Sequence, residues 1–403
     1  MIGRRDDRAN EMTGPASARD LAPAVIRRTI ELAETPAPTG AEQSRADLVL
    51  RWWAEDGWAP YTDTAGNVWA QVADGPGPGL LVCAHLDTVF PADLPHVVAA
   101  KPGRLCGPSV GDNSIGVAAL SAVAKLLRPV AGLGPDAGPG PDAGAGLGPD
   151  ASAGPGPVWL VATVGEEGTG NLAGIRHALA HPPAPVSAVI AVEGNYLGRV
   201  VTTGVGSVRW RVRYAGPGGH AWERAEAPSA VHAAAGGAAR LAALVGRATA
   251  GARCTVNVGL IGGGEAINAR ARDAWFDVDL RGDGSKALQR LEKRARGIVS
   301  VVPPGISVKV EELGRRPAGS VAPGSPIARA AVAALRRAGL PAEFSAASTD
   351  ANAALDLGIP AVALGVTRGQ GEHTPAEWIE TDPVPAGLMA LADTIHLLRG
   401  EQA

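Results

Sequence analysis

Four apolar runs in this chain each lead into acids or a histidine, and no other feature limits so strongly what it can fold into. Gly79-Leu-Leu-Val-Cys-Ala leads into His85-Leu-Asp87, and Val158-Trp-Leu-Val-Ala-Thr-Val into Gly165-Glu166-Glu167-Gly. Val186-Ser-Ala-Val-Ile-Ala-Val leads into Glu193-Gly, and Ala361-Val-Ala-Leu-Gly-Val into a loop carrying Glu372-His373. Near-continuous apolar runs of this length read as strands buried on both faces, as in a parallel sheet. Open α/β sheets bind ligands just beyond the carboxyl ends of such strands. Ligand-type side chains at four such ends point to one shared site.

A chain of 403 residues exceeds what one core usually holds, so two domains are expected. The formal net charge of -3, from 37 basic and 40 acidic residues without a basic block, argues against a nucleic-acid partner. The polar start Met1-Ile-Gly-Arg-Arg-Asp-Asp-Arg has no apolar segment after it, and no stretch approaches about 18 uninterrupted apolar residues. A cytoplasmic protein without a membrane partner is expected. Cys83, Cys106 and Cys254 are too scattered for a disulfide framework or a thiolate zinc site and read as reduced, mostly buried thiols.

Helical spacing predicts helices over Leu21–Glu34 and Ala41–Asp56, followed by alternating strands and helices to about Val201. The Gly/Pro/Ala/Asp tract 131–157 cannot bury enough apolar surface to offset chain entropy and reads as a disordered insert. From Gly204 to about Arg316 the pattern changes. Strands over Val205–Tyr214, Cys254–Ile261, Ala274–Leu280 and Ile306–Leu313, with helices over Ser229–Val245 and Ser285–Val299, give the ferredoxin-like order β-α-β-β-α-β. Ala274, Phe276, Val278 and Leu280 alternate with Trp275, Asp277, Asp279 and Arg281, as in a sheet with one packed face. The fold class is therefore α/β: a mixed, mostly parallel sheet flanked by helices, spanning 1–203 and 317–403, with an α+β domain inserted at 204–316.

The candidate chemistry sits at the ends of the runs. His85 and Asp87 are two apart, so their side chains point the same way and the carboxylate can hold the imidazole tautomer. Asp112, in Gly111-Asp-Asn-Ser-Ile-Gly116, can bridge two metals or cap the helix that follows, with Asn113 or Ser114 also free to cap. Glu166 and Glu167 point in different directions, so one carboxylate can bind metal while its neighbour faces the bound water as a general base. Glu193 has the same setting, and His373 lies in the Gly-rich loop Gly-Gln-Gly-Glu-His-Thr-Pro. Ser348-Thr-Asp-Ala-Asn352 precedes a helix and is expected to cap it.

Taken together, His85-Leu-Asp87-Thr-Val, Gly111-Asp-Asn-Ser-Ile-Gly, Gly-Glu166-Glu167-Gly, Glu193-Gly, Gly218-Gly-His220-Ala and Glu372-His373-Thr resemble the motifs of the dinuclear zinc peptidases and deacylases. That family includes carboxypeptidase G, succinyl-diaminopimelate desuccinylase, acetylornithine deacetylase and the tripeptidases. The resemblance implies two divalent ions, zinc with cobalt or manganese able to substitute. One would be held by His85 and Glu193, the other by Glu167 and His373, with Asp112 bridging. It implies Glu166 as general base, Asp87 orienting His85, and the inserted domain as lid and dimer contact. His220 would then stabilise the oxyanion in the partner subunit's site, and Arg281 and Asn268 would bind the substrate. The implied substrate is a small peptide or N-acyl amino acid, cleaved at an amide bond by a homodimer. Asn-Ser-Ile-Gly after Asp112 is closer to the tripeptidase branch, whereas Glu at position 193 is typical of carboxypeptidases and deacylases.

Two other readings stand beside this one. Gly107-Pro-Ser109-Val-Gly111 matches the Gly-x-Ser-x-Gly elbow of serine hydrolases, which would make Ser109 a nucleophile. The same scaffold could also serve as a non-catalytic dimeric binding protein.

Overall fold

Leu80, Val82 and Ala84 pack into one buried cluster while Leu81 and Cys83 pack into another, so the strand Gly79–His85 is buried on both faces. Val186–Val192 and Ala361–Leu364 divide their side chains the same way. The computed structural model describes residues 17–127, 155–244 and 253–401. The expected insert at 131–157 lies outside the described residues apart from its last three, of which Pro157 accepts the Leu80 amide through its carbonyl.

The large sheet runs in the order Tyr61–Thr62, Val68–Ala73, Val158–Thr163, Gly79–His85, Val186–Val192, Ala361–Leu364, Arg199–Gly204, Gly319–Ser320, with Glu343–Ala347 also paired to Arg199–Gly204. The four apolar runs are its central neighbours and are mutually parallel. The outer strand Val68–Ala73 pairs antiparallel, as does Arg199–Gly204 with Ala361–Leu364, so the sheet is mixed but mostly parallel. Helices Ala18–Ala33, Ile115–Leu126, Pro326–Arg337 and Val384–Arg399 cover one face, and Ala173–Ala180 with Ala351–Asp356 the other. Ser17 starts the first helix through a capping box with Asp20. Among the described residues no helix is long and apolar enough to cross a membrane.

A second sheet takes the order Cys254–Gly263, Asp273–Gly282, Gly206–Ala215, Ser307–Arg316, every pair antiparallel. This is the strand order expected of a ferredoxin-like unit. Helices Ala230–Ala242 and Ser285–Val299 cover one face, where Trp210, Tyr214, Phe276 and Leu280 are fully buried. The opposite face is polar, with Arg211 paired to Asp277 at 2.7 Å.

Phe276 stacks at a tilt on Tyr214, ring centroids 5.9 Å apart, in this second core. Phe276→Ala should lower stability by about 3–5 kcal/mol, the usual cost of emptying an aromatic core site. Urea denaturation followed by tryptophan fluorescence measures it, and a loss below about 1 kcal/mol would mean that the site collapses around the gap.

Candidate metal centre

At the carboxyl ends of the four parallel strands the sequence-predicted ligands converge. His85 ends its strand, Glu166 and Glu167 follow Thr163 by a short turn, and Glu193 follows Val192 directly. His373 arrives on a longer loop clamped by pairing of Gly369–Gln370 with Trp378–Glu380, itself paired to Arg104–Cys106. Its backbone sits in the left-handed region, φ 63°, a conformation that non-glycine residues adopt only where the surroundings impose it.

Asp112 is the centre of the arrangement. One carboxylate oxygen lies 3.0 Å from His85 Nε2 and the other 3.1 Å from His373 Nε2. Glu193 approaches the first imidazole at 3.9 Å, and Glu167 approaches the second at 3.1 Å. Three groups of potential ligand atoms result, each with its atoms within 4.8 Å: His85/Asp112/Glu193 and Asp112/Glu167/His373, which share Asp112, and His85/Glu166/Glu167. Imidazole and carboxylate donors in such sets suit divalent zinc, cobalt or manganese, so the residues fit a pair of cations.

The support around these ligands differs in part from the sequence reading. Asp87 meets His85 mainly through its backbone carbonyl, 3.0 Å from Nδ1, with its carboxylate at 3.5 Å. Both carboxylate oxygens instead accept the turn that follows Thr163, from Glu166 N–H at 2.9 Å and Glu167 N–H at 2.8 Å, and one also accepts from Thr39 Oγ1 at 2.8 Å. The helix Ile115–Leu126 has no side-chain cap, contrary to expectation. Asn113 spends its amide across the site, donating to the Val192 carbonyl at 2.6 Å and accepting Gly194 N–H at 3.0 Å, because these are the unpaired backbone groups at the adjacent strand end. A side chain at Gly194 would strike Ile115 and the Gly111 carbonyl, which explains the glycine after Glu193. Asp350 likewise does not cap its helix but accepts from Thr163 Oγ1 at 2.6 Å. Thr349 and Asn352 make the local bonds there.

Three further residues had no motif to announce them. Glu377, fully buried, accepts Gly111 N–H and Asp112 N–H at 2.8 Å each and so fixes the backbone that carries Asp112. Arg45, also fully buried, donates to the carbonyls of Thr35 and Leu86 and to Ser109 Oγ. Arg316, at the end of the last strand of the second sheet, reaches Glu166 Oε1 at 2.8 Å and also bonds the Glu166 carbonyl. This disposes of the serine elbow. Ser109 is wholly buried and its oxygen is occupied by a guanidinium, so it is not placed to attack a substrate.

Electrostatics sharpen the picture. Burial alone would raise Asp112, but hydrogen bonds to His373 and His85 outweigh it and hold the carboxyl well below its ordinary value. The same contacts from Asp112 and Glu167 push His373 up to about 10. Burial raises Glu193 well above its ordinary range, and it raises Glu166 too despite Arg316. Carboxylates crowded in this way need protons or cations between them.

A cavity of about 660 Å³ opens over the cluster, a size suited to a small ligand. Its far wall comes from the second sheet and includes Arg209 and Arg281. His220 and Asn268 do not reach it. They are exposed and adjacent to one another, on the short pairing of Gly219–His220 with Ala269–Arg270.

The model of peptidase family M20/M25/M40 matches residues 149–397, more than half of the chain. The chain belongs to that family. M20 membership makes it a metal-dependent hydrolase of amide bonds, and side chains able to hold metal ions are gathered at the strand ends. Solved structures agree on the fold. A tripeptidase from Staphylococcus aureus is 20% identical, with 94% of this chain and 98% of that one covered and a TM-score of 0.73. The aminopeptidase PepT from Bacillus cereus is 18% identical over the same shares, with a TM-score of 0.71. A dinuclear metal-binding M20 peptidase from Bacillus subtilis is 18% identical, again over 94% and 98%, with a TM-score of 0.63. The curated proteins give no match.

Removing the clasp on the Asp112 backbone should loosen the M20 centre. Glu377→Ala is expected to weaken divalent-metal binding by about 10–100-fold, as loss of an outer hydrogen-bond partner of a ligand usually does. Calorimetric titration with zinc measures this. Unchanged affinity would show that the loop keeps its shape without that carboxylate.

Proposed function

We propose that this M20 family member is a dinuclear amidohydrolase acting on small peptides or N-acyl amino acids. The observation that carries the reading is the placing of Asp112 between two imidazole-carboxylate pairs. His85 and Glu193 would hold one ion and Glu167 and His373 the other, with Asp112 shared; zinc suits these donors best. When bound, such ions acidify a shared water and polarise the substrate carbonyl.

The chain's own groups complete the chemistry. Glu166 is the general base, taking a proton on its carboxylate as water attacks and returning it to the departing amine. Arg316 keeps that carboxylate from swinging away, and Asp87 fixes the backbone beneath it while steadying His85. Arg281, on the cavity wall and 41% exposed, pairs with Asp279 through Nε at 2.8 Å and keeps its terminal nitrogens for a substrate carboxylate. In this reading the segment 204–316 acts as a lid, and the flanking segments 1–203 and 317–403 form the catalytic body. His220 and Asn268, exposed and remote from the cavity of their own chain, are assigned to the cavity of the partner subunit in a homodimer.

Two experiments test this. Glu166→Gln should reduce kcat by about 10²–10⁴-fold, the usual share of general-base catalysis, with metal content unchanged by elemental analysis. Retained turnover would remove the base from Glu166. His220→Ala and Glu166→Gln, each inactive alone, should regain activity when mixed subunits are allowed to exchange. Failure of that rescue in dimers shown to be mixed would confine the site to one subunit.

A further inference from the structure

The turn that carries Glu166 and Glu167 continues into two residues held in the left-handed region, Asn171 at φ 58° and Leu172 at φ 63°. Leu172 is fully buried in the core on that side of the large sheet, which holds it there. Asn171 is only half-buried, and its side chain reaches the second sheet, where Oδ1 accepts the Arg315 N–H at 2.8 Å.

Ser307–Arg316 is an edge strand of that sheet, paired only to Gly206–Ala215. Such an edge leaves backbone groups in need of partners. The Arg315 N–H goes to Asn171, and the Arg315 carbonyl accepts from Arg176, on the helix Ala173–Ala180, at 2.9 Å. Arg176 also donates to the Asn171 carbonyl at 3.1 Å, which closes a ring of three hydrogen bonds between loop and strand. Gly314 fits against this ring, since a Cβ there would stand 3.3 Å from Asn171 Oδ1. Nearer the start of the loop, Arg209 of the neighbouring strand bonds the Gly168 carbonyl.

The residue after Arg315 is Arg316. Its terminal nitrogens bond Glu166 and, at 3.1 Å, Ser348 Oγ, while its buried Nε has no hydrogen-bond partner among the described residues. Its aim at Glu166 therefore depends on where the strand end stands. Two demands meet at position 171: a left-handed backbone, which asparagine tolerates better than most residues, and a short side-chain acceptor.

We propose that Asn171 is a positioning residue for hydrolysis: by holding the Arg315 N–H it fixes the strand end from which Arg316 aligns Glu166. The inference rests on the amidohydrolase reading, in which Glu166 is the general base. Alignment of that base is thereby tied to the seating of the second sheet on the loop 165–172.

The test uses metal-loaded full-length protein with whichever of trialanine, dialanine and N-acetylalanine it cleaves. Asn171→Gly keeps the left-handed backbone accessible and removes the acceptor. It should lower kcat by about ten-fold or more, as small misplacements of catalytic groups do, with KM and metal content changed by less than about two-fold. Asn171→Asp restores an acceptor of the same reach and should recover most of kcat. The effect should not add to loss of the base, so in Glu166→Gln protein the further loss from Asn171→Gly should stay below about two-fold. Hydrogen exchange without substrate gives a readout independent of turnover. In Asn171→Gly the amides of 165–172 and of Arg315 should exchange about ten-fold faster or more, while those of Gly79–His85 keep their rate. Unchanged kcat, a fall that Asn171→Asp does not reverse, an equal fall in Glu166→Gln protein, or unchanged exchange each overturns the proposal. Wild-type protein that cleaves none of the amides sinks the hydrolase reading instead, and exchange still decides whether Asn171 holds the strand end.

Discussion

Asp112 presents each of its oxygens to a different imidazole, and the rest of the centre is arranged around that fact. Two carboxylates about 4 Å apart near a protein surface repel by about 4 kcal/mol, and this cluster gathers Asp112, Glu166, Glu167 and Glu193 at the same strand ends. The fold holds the backbone beneath these carboxylates from outside. Glu377 grips the Asp112 backbone, Asp87 grips the turn under Glu166 and Glu167, and Asn113 ties the Glu193 turn to the Asp112 loop. These buried hydrogen bonds set where the carboxylates stand, while their like charges are met by the imidazoles of His85 and His373, which hold Asp112 well below its ordinary value, or by cations.

Much of this was legible before any coordinates. The strand runs were readable because residues buried on both faces must be apolar without interruption, and their ends mark the only places where such strands can release polar side chains. The second sheet was readable for the opposite reason: Ala274 to Arg281 alternates because one face packs on helices and the other does not, and the burial follows that alternation. Strand limits shifted by one to three residues at several ends, as with Ser307–Arg316 against the expected Ile306–Leu313.

What could not be read was the set of long-range polar anchors. Arg316 meets Glu166 across 150 positions, and Glu377 meets Gly111 across 266. A single ion pair or hydrogen bond has no periodicity, so nothing in the local pattern distinguishes Arg316 from Arg315 beside it. Glu377, four places after His373, could have been suspected from its position in a ligand loop. Asn113 does not take the capping role open to it, and within Ser348–Asn352 the local bonds come from Thr349 and Asn352 while Asp350 accepts from Thr163: a side chain that suits a helix start suits any nearby orphaned backbone or hydroxyl group.

The second sheet leaves the large one after Gly204 and comes back at Gly319, and these two glycines are register partners on neighbouring strands. Departure and return therefore occupy a gap one strand pair wide. A chain joining those points directly would need only a tight turn to complete the host sheet. In topology the second sheet is one excursion between neighbouring strands of the first, yet Arg316, the last residue of its final strand, is tied back to Glu166 at the strand ends of the large sheet.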